Sequence, residues 1–123
     1  MTLLLVALAG GVGAATRFVL GVIVSTRQRG AFPLATVAIN VSGSALIGLL
    51  TGGLLFHDLD PTVYLVLAVG FCGGYTTFST AMVETVRLLQ TGERRRAVAN
   101  LLVSLLASLA AAAAGIGLLW LMA

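Results

Sequence analysis

Four apolar stretches, at about 2–25, 33–56, 61–90 and 97–122, take up most of this 123-residue chain. Each holds the roughly 20 apolar residues that carry a helix across a bilayer. In hydrocarbon a lone segment must satisfy its own backbone N–H and C=O groups, so each stretch reads as a transmembrane helix. Composition agrees: 59% of the residues are hydrophobic, 9% are charged and the mean hydropathy is +1.11. Soluble domains carry about 25% charged residues, and a soluble chain of this size could not bury so much apolar surface. The chain reads as one all-α integral membrane domain over 1–123. The first stretch is a span and not a cleaved leader, since no basic residue precedes Leu3 and the apolar run continues to about Ser25.

Arginine supplies the topology. The chain has no lysine, and its pI near 10.0 comes from arginine alone. Four spans put both termini on one side, together with the loop Phe56-His57-Asp58-Leu59-Asp60-Pro61. The opposite side receives Arg27, Arg29, Arg94, Arg95 and Arg96, with Arg87 just before the last loop. The seventh arginine, Arg17, lies within span one. By the positive-inside rule, loops one and three face the cytoplasm of a cell whose inner or plasma membrane holds the chain. No basic patch interleaved with aromatics is present, so the high pI is no sign of nucleic-acid binding.

Span three is long enough to tilt or break, and near its middle lies Gly73-Gly74-Tyr75-Thr76-Thr77-Phe78-Ser79-Thr80. Each glycine weakens helix by about 1 kcal/mol relative to alanine. Four hydroxyl residues then crowd the same place, where unpartnered polar groups are costly. An ion is the natural partner for such an island. A bulky side chain at Gly73 is expected to collide with the crowded break.

Two other spans carry polar stripes. Thr36, Asn40 and Ser44 in span two, and Asn100, Ser104 and Ser108 in span four, are spaced four apart and so share a helix face. All of these side chains donate hydrogen bonds and none is acidic. Such stripes serve as interhelical glue or as a wet path; donors without acids suit an anion better than a cation. Arg17 is a charge within a span, either functional or snorkelling to the interface. Glu84 sits near the end of span three, with Arg87 in i, i+3 position for an ion pair.

Catalysis finds little support. The only histidine, His57, is in a loop, no acid pair or zinc-ligand cluster exists within the spans, and the serines have no visible base. Cys72 is alone, which excludes an internal disulfide or a thiolate metal site.

Together these residues resemble the Fluc (CrcB) family of fluoride-specific ion channels along the whole chain. The matching features are Gly10-Gly11-x-Gly13-x-x-x-Arg17, Asn40 with Ser42-Gly43, Gly70 through Thr80, and Glu84. The Gly70–Thr80 run is the specific one. The resemblance implies an antiparallel, dual-topology dimer of four-helix subunits whose third helix is broken in the middle. It implies two fluoride pores at the subunit interface and passive export of cytoplasmic fluoride. It also implies a structural sodium ion, not transported, on the backbone carbonyls of Gly73 and Thr76 from both subunits. Fluoride is small and strongly hydrated, so donors must replace its water. Asn40, Ser104 and Ser108 fit that task, with Thr36 and Thr77 as further donors and Asn100 where the family carries a pore tyrosine. Phe78 resembles the family's pore phenylalanine, whose positive ring edge can face an anion.

Two departures stand out. The family's second phenylalanine is replaced by Ala81, which leaves space in one pore. The arginine bias of six to none argues for a single orientation, and a one-way chain cannot by itself make an antiparallel dimer. A heterodimer with a related chain of opposite bias follows; a homodimer using a minority inverted population is the competing arrangement. A small four-helix secondary transporter is the alternative function, but proton coupling needs a membrane-embedded carboxylate, and Glu84 lies near a span end. A non-conducting assembly subunit is a third.

Overall fold

The computed structural model describes residues 1–123, and helices take up nearly all of them. They are α1 (Thr2–Arg27), α2 (Leu34–Phe56), α3 (Pro61–Tyr64), a π-helical segment Leu65–Cys72, the single turn α4 (Gly73–Tyr75), α5 (Phe78–Gln90) and α6 (Arg94–Leu121). The stretch Pro61–Gln90 counts as one membrane-length run, which gives four segments long and apolar enough to span a bilayer. The protein is an all-helical, multi-pass membrane protein.

Local chemistry sets the ends. Asp60 caps α3: its Oδ1 accepts from the amides of Thr62 at 2.8 Å and Val63 at 3.1 Å. Pro61 occupies the first helical position, where its missing N–H costs nothing. α6 starts at Arg94, three residues ahead of the sequence-based span, so Arg94, Arg95 and Arg96 form its first turn. That placement opposes the helix dipole, and the ion pair of Arg96 with Glu93 at 3.2 Å offsets only part of it.

Packing depends on backbones that touch. α1 lies against the π segment and α4, and a Cβ on Gly74 would collide with the Gly10 backbone. α2 packs along α6 in the same manner, and a Cβ on Gly48 would strike the Ala112 backbone. With no hydrophobic force between helices in lipid, such close van der Waals contact holds them together. Only 18 of the 123 residues are buried, so the apolar side chains point outward, toward lipid or another protein. α1 and α6 carry much of that surface, including Leu4, Phe18, Leu106 and Leu109.

Candidate functional site

Helical geometry lapses at two residues. Thr76 (φ −79°, ψ 160°) and Thr77 (φ −149°, ψ 122°) are extended between α4 and α5. The lapse is written in side-chain hydrogen bonds. In a continuous helix the Thr77 amide would bond the Gly73 carbonyl. Here it donates to Asn40 Oδ1 at 2.8 Å. The Thr80 amide would likewise reach the Thr76 carbonyl, but it donates to Thr77 Oγ1 at 3.2 Å, which caps α5. Asn40 Nδ2 completes a two-point grip by donating to the Thr77 carbonyl at 2.8 Å.

The Cys72 and Gly74 carbonyls have partners. The Cys72 carbonyl accepts from the Thr76 amide at 2.9 Å and from Thr76 Oγ1 at 2.8 Å. The Gly74 carbonyl accepts from Arg17 Nε at 3.1 Å. At the Gly73 and Thr76 carbonyls the helical amides have been diverted to side-chain acceptors. Carbonyl oxygens suit a hard cation, so this pair fits a sodium ion chemically.

α2 holds this region against itself. Gly43 leaves a notch for the Thr76 methyl and the Tyr75 ring, and Ser42 Oγ lies 2.9 Å from the Tyr75 hydroxyl. Beside the notch runs a groove of about 600 Å³ between α2, α5 and α6. Asn40, Thr77, Phe78, Ser104 and Ser108 all line it, joined by Ser44 and Thr76. Neither an acidic nor a basic side chain is among its lining residues. Phe78 is 78% exposed, an unusual state for a phenylalanine unless lipid or protein covers it. Ala81 lines the groove floor and is itself buried.

Other candidates lie elsewhere. Asn100 is fully buried and does not reach the groove; its Nδ2 donates to Thr85 Oγ1 at 2.8 Å and to the Ala81 carbonyl at 3.3 Å. It joins α6 to α5, which covers the start of α6 and leaves Ser104 and Ser108 open beyond it. Thr36 is also buried, and its Oγ1 donates to Glu84 Oε1 at 2.8 Å. Glu84 makes no ion pair with Arg87; the spacing allowed one, but α2 supplies a closer partner. Glu84 Oε2 is buried without any hydrogen bond. Arg17 is half-buried on the Gly74 carbonyl instead of extending freely to the interface. A Cβ on Gly73 would meet nothing within 4 Å, so within one chain that position is open, contrary to the crowding expected from sequence. Thr85 and Tyr75 contribute contacts that sequence reasoning missed, because neither interrupts a polar or apolar pattern.

Comparison with known proteins bears on this geometry. The family model described as "CrcB-like protein, Camphor Resistance (CrcB)" matches residues 4–116. The chain belongs to the CrcB family. Among its CrcB relatives, the fluoride-specific ion channel FluC 1 of Leifsonia xyli subsp. xyli is 47% identical over 121 residues, covering 98% of this chain and 86% of that protein. The fluoride-specific ion channel FluC 2 of Cutibacterium acnes is 43% identical, covering 96% and 97%. The fluoride-specific ion channel FluC 1 of Symbiobacterium thermophilum is 40% identical, covering 98% of each.

Proposed function

We propose that this chain is a subunit of a fluoride-specific ion channel, which relieves fluoride toxicity by letting cytoplasmic fluoride leave passively. One observation carries the reading: the polar side chains of Asn40, Thr77, Ser104 and Ser108 line, with Phe78, a single groove free of carboxylates. An anion there meets hydroxyl and amide donors in place of its water. The absent acid also weighs against a proton-coupled transporter, which needs a titrating carboxylate in the path. The near-full-length relatives named as fluoride-specific channels support fluoride as the anion.

The groove is open on one side in a single chain. In our reading a second subunit of opposite orientation closes it, placing the pores at the subunit interface. A structural sodium ion, not transported, sits between the subunits on the carbonyls of Gly73 and Thr76, and there it neutralises their partial negative charge. The arginine-rich loops lie in the cytoplasm and the chain in the cell's inner or plasma membrane. With six arginines on one face and none on the other, the partner is a related chain of opposite bias, which also supplies the ring that Ala81 lacks.

Efflux from liposomes tests this directly, with fluoride and chloride measured in parallel. Fluoride-selective efflux by this chain alone supports the channel and removes the need for a second chain. Silence alone, restored by a related chain of opposite charge bias, supports the heterodimer. Silence in both cases, with folding and insertion verified, overturns the assignment.

A further inference from the structure

A second groove lies on α5, away from the notch in α2. It encloses about 320 Å³ and is lined by Met82, Val83, Val86, Arg87 and Gln90. Positions 82, 86 and 90 follow one another by four, and 83 and 87 do the same, so all five share one face of the helix. The apolar residues form its inner end and Arg87 with Gln90 its outer end. From Met82 to Gln90 the helix rises about 12 Å, so the trough runs from the membrane surface into the hydrocarbon.

The arginines at its mouth are largely free of ion pairs. Arg87 makes no salt bridge, and the same holds for Arg94 and Arg95 just across the turn. The only acid in that turn, Glu93, is taken by Arg96. Glu84, the one acid on α5, is held by Thr36 of α2. The turn is tight, with the Thr91 amide bonded to the Arg87 carbonyl at 3.0 Å and the Glu93 amide to the Leu88 carbonyl at 2.8 Å. Arg87 and the start of α6 therefore form one basic corner. All four of its arginines are exposed.

We propose that this corner binds an anionic phospholipid, its headgroup phosphate on Arg87 and an acyl chain along Met82, Val83 and Val86. Every phospholipid places a phosphate above its acyl chains, but only the anionic ones carry a net negative charge, with no headgroup cation to be repelled by Arg94 and Arg95. Guanidinium matches phosphate by paired N–H donors in a fixed fork. Arg94 and Arg95 add long-range attraction to the same headgroup. The trough shares Met82 with the larger groove, but its charged end lies outside that groove, so the lipid site does not need the fluoride reading.

Native mass spectrometry of the detergent-purified chain tests the proposal, with phosphatidylglycerol and phosphatidylcholine as probes. Phosphatidylglycerol is retained in preference, and Arg87→Gln weakens that retention by about tenfold, the scale of one charged hydrogen bond. Val83→Trp, which fills the trough and leaves the charge intact, weakens it as well. Arg27→Gln, on the same membrane face but on α1, changes it less than about twofold, the scale left after screening. Equal retention of the two lipids overturns the proposal. An equal loss in Arg27→Gln also overturns it, since general basicity would then suffice. Efficient disulfide formation between two copies of Val83→Cys in lipid vesicles would show that protein, not lipid, covers the trough.

Discussion

Asn40 on α2 grips the backbone of Thr77 at both ends, accepting from its amide and donating to its carbonyl, each at 2.8 Å. One side chain thereby stands in for the strand or helix partner that an extended residue in a membrane lacks. The same residue lines the groove, so its structural role and the conducting role proposed for it overlap. Asn40→Ala strips both bonds and is expected to lower stability by about 2–6 kcal/mol, since each orphaned group costs about 1–3 when shielded from water. Asn40→Asp keeps the acceptor for the Thr77 amide and puts a carboxylate in the path. Its fluoride flux is expected to fall more than about tenfold, the effect of roughly 1.4 kcal/mol of repulsion. Thermal unfolding in detergent and liposome efflux, measured on both variants, separate the two roles.

Phe78 presents the opposite case. Being largely exposed, it contributes little to the fold of one chain. Phe78→Ile is expected to leave subunit unfolding within about 0.5 kcal/mol of the parent, as surface changes do. Fluoride efflux should nevertheless drop sharply, because an aliphatic side chain offers no positive ring edge. Unchanged efflux from a well-folded variant would remove Phe78 from the ion path.

Adjacent glycines in the island should respond differently. A methyl on Gly74 meets the Gly10 backbone, which cannot yield without moving α1. Gly74→Ala is expected to destabilise by about 1–3 kcal/mol or more through overpacking. Gly73→Ala enters open space and should leave the subunit's melting unchanged or slightly improved. Comparing the melting of the two variants checks this. A loss of dimer in Gly73→Ala, with the subunit intact, would locate the partner against that position.

Thr36 holds Glu84, whose second oxygen already has no partner. Thr36→Val leaves the buried carboxyl with no hydrogen bond and is expected to cost about 1–3 kcal/mol. In a Glu84→Leu background, which removes the partner that Thr36 holds, the same change should cost clearly less. A double-mutant cycle on unfolding free energies reads the coupling, and additivity would deny the interaction.

Much of the site was legible because polar residues in an apolar span attract notice. Asn40, Ser104, Ser108, Thr77 and Phe78 stand out in sequence and line one groove. Spacing of four identifies a helix face but not what lies against it. Asn100 shares a face with Ser104, even lying 3.4 Å from it, yet α5 covers one and not the other. Glu84 illustrates the same limit: Arg87 is its neighbour along the helix, while Thr36 is its neighbour in space. The lapse at Thr76 and Thr77 was visible as a weak point in Gly73 and Gly74. Its cause was not, since the diverting groups are Asn40 from another helix and the Thr77 hydroxyl.

That cause bears on how the protein is made. Before α2 docks, nothing competes for the Thr77 amide, and thirty largely apolar residues from Pro61 to Gln90 favour one unbroken helix in lipid. The segment can enter the bilayer fully bonded, without exposing bare carbonyls to hydrocarbon. In the folded chain Asn40 replaces a turn of that helix with a side chain from its neighbour. The polar centre is therefore held open by the assembled bundle and not by its own segment alone.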